Sequence, residues 1–239
     1  MSKNIVALDA SEHSGLKIKS DKTYSHASKQ YMVPLVAAEF LSSSTNFPIF
    51  FVKQQETGRF KSVALMGFEE EENVVFSNNK VNSTYVPVHF RRQPFAVGGS
   101  HEDNDNMILC VDINSPLVSE KEGVALFDDQ KNPSEMTTNV SDMLVDLIAK
   151  EKATELFIET LLECDLLEIA DLKINLGDAG ERKINGLYKI SEEALNELTD
   201  EQVLALYNSK YFAAIYCHLA SLSQIKRLLD LKSVLDKKQ

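Results

Sequence analysis

Apolar positions cluster in short strand-like runs through the first half of the chain. Residues 48–52 and 60–68 are rich in aromatic and β-branched side chains, and the turn residues Glu56, Thr57 and Gly58 lie between them. This pattern predicts two strands that pair as a hairpin. Residues 107–113 form a nearly continuous apolar run, which is typical of a central strand.

Weaker patterns surround these strands. Residues 5–8, 74–76, 85–90 and 95–97 predict short strands or connectors, and Pro34 is placed to open a short helix over residues 35–41 that the serines at 42–44 end. Four consecutive carboxylates at 69–72 predict a solvated turn, because acids cannot be buried without partners.

Helical spacing dominates from residue 132 onward. Asn132 is placed to cap a helix that runs from Pro133 to about residue 162, with a break allowed at 150–152. Residues 172–176 and 183–190 predict a hairpin. Ser191 and Thr199 are placed as caps of two further helices, and residues 211–231 predict one long apolar helix.

The order of these elements predicts an α+β fold, with a mostly antiparallel sheet in the N-terminal half packed against C-terminal helices. Residues 1–30 are polar and predict a loose N-terminal arm. Residues 31–239 then form a single domain, β-rich over 31–131 and helix-rich over 132–239.

Charge and composition narrow the function classes. The 239 residues carry a net charge of −11, which disfavours nucleic acid and anionic membrane surfaces as partners. No apolar run suits a secretory signal or approaches the roughly 20 residues that span a bilayer. We expect a cytoplasmic protein whose three widely spaced cysteines are buried thiols.

The motifs of common enzymes are not recognisable in the sequence. Its nine glycines form no phosphate-binding loop, and the segment from Gly98 to Glu102 lacks the closing glycine of a nucleophile elbow. His101 and Asp103 resemble two ligands of a non-haem iron triad that His218 would have to complete, but a solvated loop is favoured. We therefore predict no catalytic residue, no metal site and no cofactor, and expect the purified protein to carry no stoichiometric iron or zinc.

Arg91 and Arg92 are the best polar candidates for ligand or partner binding. Adjacent guanidinium groups beside aromatic residues can bind a carboxylate or phosphate, although two structural arginines paired with acids are the favoured alternative. Neighbouring residues of an extended segment face opposite sides, so one arginine should pair inward with an acid while the other faces outward. His218 is a third candidate, with a core histidine that has one satisfied nitrogen as its alternative.

Several segments, in order along the chain, resemble the SapC family of bacterial S-layer-associated proteins. They are VPLVAAEF at 33–40, FPI at 47–49, YVP at 85–87, FRRQPF at 90–95, LCVD at 109–112, SP at 115–116, LFD at 126–128, GLY at 186–188 and AIYCHLASL at 214–222. Arg91, Arg92 and His218 lie inside these segments, whereas His101 and Asp103 lie outside them.

The resemblance implies an accessory role, since members are often encoded beside halogenase-like, cupin-like and outer-membrane receptor proteins. It connects the chain with S-layer, peptide-modification or uptake systems. With no catalytic constellation in view, we expect a non-catalytic protein that binds a protein or peptide partner. The alternative is an enzyme with an unfamiliar site, either metal-dependent and oxygenase-like or acting on a small anionic substrate.

Overall fold

The computed structural model describes residues 4–99, 107–175 and 180–237. The strands in these residues are β1 (Ile5–Ala7), β2 (Lys17–Ile18), β3 (Met32–Pro34), β4 (Ile49–Lys53), β5 (Phe60–Leu65), β6 (Phe76–Ser77), β7 (Lys80–Val81), β8 (Phe95–Gly98), β9 (Ile108–Asp112), β10 (Val118–Ser119), β11 (Val124–Ala125), β12 (Leu167–Ile169), β13 (Leu172–Asn175), β14 (Glu181–Ile184) and β15 (Leu187–Ile190). The strand pairs are antiparallel.

Helices are concentrated in the second half of the chain. The α-helices are α1 (Ala10–His13), α2 (Phe40–Ser44), α3 (Val88–Arg91), α4 (Glu135–Glu163), α5 (Glu192–Asn196), α6 (Asp200–Asn208), α7 (Phe212–Ser221) and α8 (Gln224–Asp236), with short 3₁₀ turns at Ser25–Ala27 and Ala37–Glu39. The predicted α+β class is confirmed, with antiparallel sheets mostly in the N-terminal half and helices in the C-terminal part.

The chain divides into two units, each assembled from separate stretches of sequence. The first unit contains Met1–Tyr24 and Val88–Ala149, and the second contains Ser25–Pro87 and Lys150–Gln239. The long helix α4 therefore contributes its first half to the first unit and its second half to the second.

A three-stranded sheet in the order β1-β9-β8 organises the first unit. Val111 of β9 lies opposite Val6 on one side and Phe95 on the other, and its side chain is fully buried. The central position predicted for this strand is confirmed, as is the short strand near residues 5–8. Residues 1–30, which we expected to form a loose arm, supply β1 and also β2, which pairs with β10 and β11.

Helix α4 begins later than its sequence signal indicated. The Ser134 hydroxyl accepts a hydrogen bond from the Thr137 amide at 3.3 Å and occupies the capping position. Asn132, the predicted cap, instead donates its side-chain amide to Asp128. From Glu135 the helix continues to Glu163 without a break at 150–152.

A five-stranded antiparallel sheet in the order β12-β15-β4-β5-β3 forms the second unit. The predicted β4–β5 hairpin is confirmed, with Ile49 opposite Ala64. Helix α7 packs against β4 and β15, and α2 packs against α7. Phe40 contacts Phe51 and Phe157 edge-to-face, so helix and sheet share one aromatic core.

Three predictions about individual elements were wrong. Pro34 does not open a helix but is the last residue of β3. Because β3 is an edge strand, a residue without an N–H can be accommodated there without loss of a hydrogen bond between strands. Residues 88–91, predicted to be extended, form helix α3. The predicted helix over 211–231 is two helices, since the Ser221 and Ser223 hydroxyls donate to the carbonyls of His218 and Ala220 where α7 ends.

The remaining capping signals are confirmed. The Ser191 hydroxyl accepts from the Ala194 amide at the start of α5, and Thr199 forms a capping box with Gln202 at the start of α6. The hairpin predicted from 172–176 and 183–190 is present in part. Strand β13 pairs with β14, whereas β15 belongs to the five-stranded sheet. None of the helices in the described part of the chain has the length and apolarity needed to cross a membrane.

Candidate functional site

Arg91 lies at the edge of a surface groove in the first unit. It is the last residue of α3, and its side chain is exposed. The helix is anchored by Phe90 and Val88, which are almost fully buried. Burial of these two apolar side chains turns the guanidinium of Arg91 toward the solvent side.

The groove has a volume of about 510 Å³ and is mostly apolar. Its lining consists of Arg91, Val124, Ser134, Glu135, Met136, Asn139, Val140 and Met143. Met136, Val140 and Met143 lie at helical spacing on the first turns of α4 and are half-buried. Methionine side chains adapt to irregular shapes, so this floor can accept apolar side chains of different sizes.

The groove combines one cationic and one anionic side chain. Glu135 is in the first turn of α4, where the helix dipole stabilises a negative charge. Arg91 presents a planar guanidinium that can bind a carboxylate with two parallel hydrogen bonds. This lining is therefore suited to bind an apolar segment that carries a carboxylate.

Arg92 has a different position from its neighbour. Its Nη1 donates to the carbonyl oxygen of Phe95 at 2.8 Å, and its Nε lies 3.4 Å from His89 Nδ1. These contacts tie the end of α3 to the first residue of β8. The extended segment on which we based opposite orientations is absent, because a helix and turn replace it, and the outward arginine is Arg91.

His218 lies in the second unit, buried between α7 and the sheet. Its side chain has 0% exposure and stacks on Phe51, with ring centroids 5.2 Å apart. Neither ring nitrogen has a hydrogen-bond partner among the described residues, so the satisfied nitrogen that we expected is not found. Burial, with a smaller contribution from the positive charge of Lys189, lowers the pKa of His218 to about 3.

Burial determines both the charge of His218 and its access to ligands. The imidazole is neutral at physiological pH and is shielded from external molecules by α7. A role in ligand binding stays a prediction, and it would require α7 to move away from β4. Ser43, on the neighbouring helix α2, is likewise fully buried and has a hydroxyl without a partner among the described residues.

One buried polar pair could not be predicted from the sequence. The Tyr85 hydroxyl donates to Glu39 Oε1 at 2.6 Å, while Glu39 Oε2 accepts from the Val36 amide at 3.3 Å. Glu39 has 6% exposure. An acid in a short predicted helix is normally solvated, so nothing in the local pattern marked this carboxylate. The only signal was that Glu39 and Tyr85 both lie in segments that carry the family resemblance.

The thiols of Cys164 and Cys217 are not activated nucleophiles. Cys110 is buried as predicted, whereas Cys164 and Cys217 are half-buried. Desolvation raises the pKa of Cys164 and of Cys217, so both remain protonated at neutral pH.

Within residues 4–99, 107–175 and 180–237, no three His, Cys, Asp or Glu side chains form a group that could hold a metal ion. The possible iron ligands His101 and Asp103 lie outside the described residues. The expected absence of bound iron and zinc stays a prediction.

A family model described as SapC matches residues 8–228, which include Arg91, Arg92 and His218. No curated protein and no solved structure matches the chain.

Proposed function

The chain belongs to the SapC family over nearly its whole length, and from this premise we propose that it is a non-catalytic accessory protein that binds a peptide segment of a partner protein. We propose the cytoplasm as its compartment, and a peptide-modification, uptake or S-layer system as its setting. The observation that carries the proposal is the groove beside Arg91.

The groove has the composition of a peptide-binding surface. Such sites combine an apolar floor with a few polar groups that orient the ligand. Here Val124, Met136 and Met143 supply the floor, and Arg91 supplies the orienting group. The proposed occupant is a short apolar segment with an adjacent carboxylate, either an acidic side chain or a chain terminus.

The net charge of the whole protein disfavours a peptide that carries a carboxylate. Tighter binding of an acidic peptide than of a basic one would therefore indicate a local contact with a cation. At a net charge of −11, long-range electrostatics favours a basic peptide over an acidic one. A preference for the acidic peptide therefore requires local contact with a cation. Arg91 is the cationic side chain that the lining of the groove offers for that contact.

The test compares two blocked peptides that differ in one charge. Acetyl-Leu-Phe-Leu-Glu-amide and acetyl-Leu-Phe-Leu-Lys-amide are titrated separately into the isotope-labelled protein, and binding is followed by amide chemical shifts. We expect the Glu peptide to bind more tightly and to shift resonances of residues 134–143. Arg91→Gln should reduce its affinity about tenfold, the effect of losing one charge-assisted hydrogen bond.

Arg59→Gln is the matched control, because Arg59 is also exposed and lies in the other unit. Thermal melts of both variants confirm that they fold. Tighter binding of the Lys peptide, or an equal loss of affinity in Arg59→Gln, would show that Arg91 does not orient a carboxylate and would refute the proposal.

A further inference from the structure

Helix α6 carries an apolar stripe that faces solvent. Asp200, Val203, Leu204 and Tyr207 recur at the spacing that places side chains on one face of a helix. Val203, Leu204 and Tyr207 are 40%, 58% and 70% exposed. The side chain that anchors α6 to its own unit is instead Leu206, which is fully buried.

The apolar surface continues onto α7. Tyr207, Phe212 and Ala213 line one groove of about 410 Å³, together with Asn208 and Lys210. Phe212 stacks on Tyr216 with ring centroids 6.2 Å apart, and Tyr216 is 59% exposed. We call the surface formed by Val203, Leu204, Tyr207, Phe212 and Tyr216 the α6–α7 patch.

This patch is unusual for a surface exposed to water. Single exposed apolar residues are common on proteins, but contiguous ones mark interaction sites. Tyrosine and phenylalanine are also the residue types enriched in the cores of protein interfaces. These exposed side chains do not anchor α6, because Leu206 does so. They do not line the groove beside Arg91 either, because that groove lies in the other unit.

The charges along α6 are self-complementary. Asp200 begins the stripe, and Lys210 follows the end of the helix and lines the groove. A nine-residue helix is about 14 Å long. When two such helices pack antiparallel, the acidic start of each meets the basic end of the other and the apolar residues meet in the middle. An isologous two-fold interface produces this arrangement.

We propose that the α6–α7 patch is the surface through which two copies of this chain associate about a two-fold axis, with their α6 helices antiparallel. Asp200 of each copy then pairs with Lys210 of the other. Since both copies carry a net charge of −11, added salt should strengthen the association by screening their mutual repulsion.

The first test is sedimentation velocity of the full chain over about 1 to 100 µM, the range in which reversible dimers of modest affinity form. We expect a concentration-dependent dimer. Leu204→Ser and Tyr207→Ser should each raise the dissociation constant at least about tenfold, as truncation of a central interface residue does. Leu156→Ser is the matched control, because Leu156 is also 58% exposed but lies on α4.

The second test is a charge exchange. Lys210→Glu alone should weaken the dimer, and adding Asp200→Lys to the same chain should restore it, because the reversed pair is again complementary. Circular dichroism melts establish that each variant is folded.

A chain that stays monomeric throughout the series overturns the proposal. So does a dimer that Leu204→Ser leaves unchanged, or that Leu156→Ser weakens equally. Failure of the charge exchange to restore the dimer overturns the antiparallel arrangement. The groove beside Arg91 is not part of this surface, so the peptide titration is decided independently.

Discussion

At the scale of single residues, His218 makes the stability of the protein depend on pH. Its imidazole is buried against Phe51 with both nitrogens unpartnered among the described residues. The folded state can hold it only in the neutral form, and its pKa is lowered to about 3 from an ordinary value near 6.5. Unfolding returns the ring to water, where it binds a proton below pH 6.5.

We therefore expect the protein to lose stability as pH falls from about 6.5 to 3, because the unfolded state binds the proton that the folded state excludes. The contribution of His218 to this loss is on the order of 5 kcal/mol at the lower limit. In His218→Phe the free energy of unfolding should depend less steeply on pH in this range. Urea denaturation at a series of pH values measures the difference.

Ile215→Val provides the control for this experiment, since Ile215 is fully buried on the same helix and carries no titratable group. Its pH profile should run parallel to that of the parent. If His218→Phe also runs parallel to the parent, proton exclusion at His218 does not contribute to acid sensitivity.

Neither the orientation of Arg91 nor the state of His218 could be derived from the sequence. The arginine pair can be recognised locally, but its predicted orientation assumed an extended segment, whereas residues 88–91 form α3 and bury Val88 and Phe90. The environment of His218 is set by Phe51, which lies far away in the chain and contacts the ring only through the packing of α7 on β4. No local pattern reports whether a buried ring nitrogen finds a partner.

At the scale of elements, hydrogen bonds from buried side chains hold short helices and loops against each other. Asn46, just after α2, has 4% exposure. Its Oδ1 accepts from the Ser83 hydroxyl and from the Thr84 amide, each at 3.0 Å, while its Nδ2 donates to the Ser42 carbonyl at 3.2 Å. One amide thus joins the end of α2 to the loop before α3.

We expect Asn46→Ala to lower the free energy of unfolding by about 3 kcal/mol, because it leaves several buried polar groups without partners. Asn196→Ala, at an exposed position of α5, should change it by less than about 0.5 kcal/mol. Urea denaturation of both variants tests this. Equal free energies of unfolding for the two variants would mean that water replaces the hydrogen bonds of Asn46 without loss of stability.

Elements with strong local signals were predictable, and those that depend on distant partners were not. The caps at Ser191 and Thr199 and the β4–β5 hairpin follow from nearby residues alone. Pro34 has two compatible positions, the first turn of a helix and an edge strand, and only pairing with β5 decides between them. The break after Ser221 involves hydroxyl bonds to backbone carbonyls that apolar periodicity does not reveal.

At the scale of the whole molecule, the β-rich and helix-rich halves of the sequence are not the two units of the structure. Each unit combines segments from both sides of residue 131. In the second unit, β15 pairs with β4, so Tyr188 lies opposite Phe51. In the first, Thr137 of α4 donates to the carbonyl of Leu126 at 2.6 Å.

Separate fragments 1–131 and 132–239 should therefore fail to fold alone, because a cut at residue 131 divides both cores. We expect neither fragment to melt cooperatively by circular dichroism, and we expect refolding of an equimolar mixture to recover native signal. A cooperative melt of either isolated fragment would show instead that one half contains a complete core. That result would also contradict our prediction of a single domain over residues 31–239.

The pairing of early and late segments has a consequence for synthesis on the ribosome. The Ile49 amide donates to the Ser221 hydroxyl, and these two residues are 172 positions apart. At about 5 to 20 residues per second, the nascent chain waits roughly 10 to 30 s between making the two partners. For most of that interval the apolar strand that begins at Ile49 lacks its neighbour β15, and α7, which covers it, is completed only at the end. We therefore expect the nascent chain to expose an apolar strand to which chaperones can bind until α7 has been made.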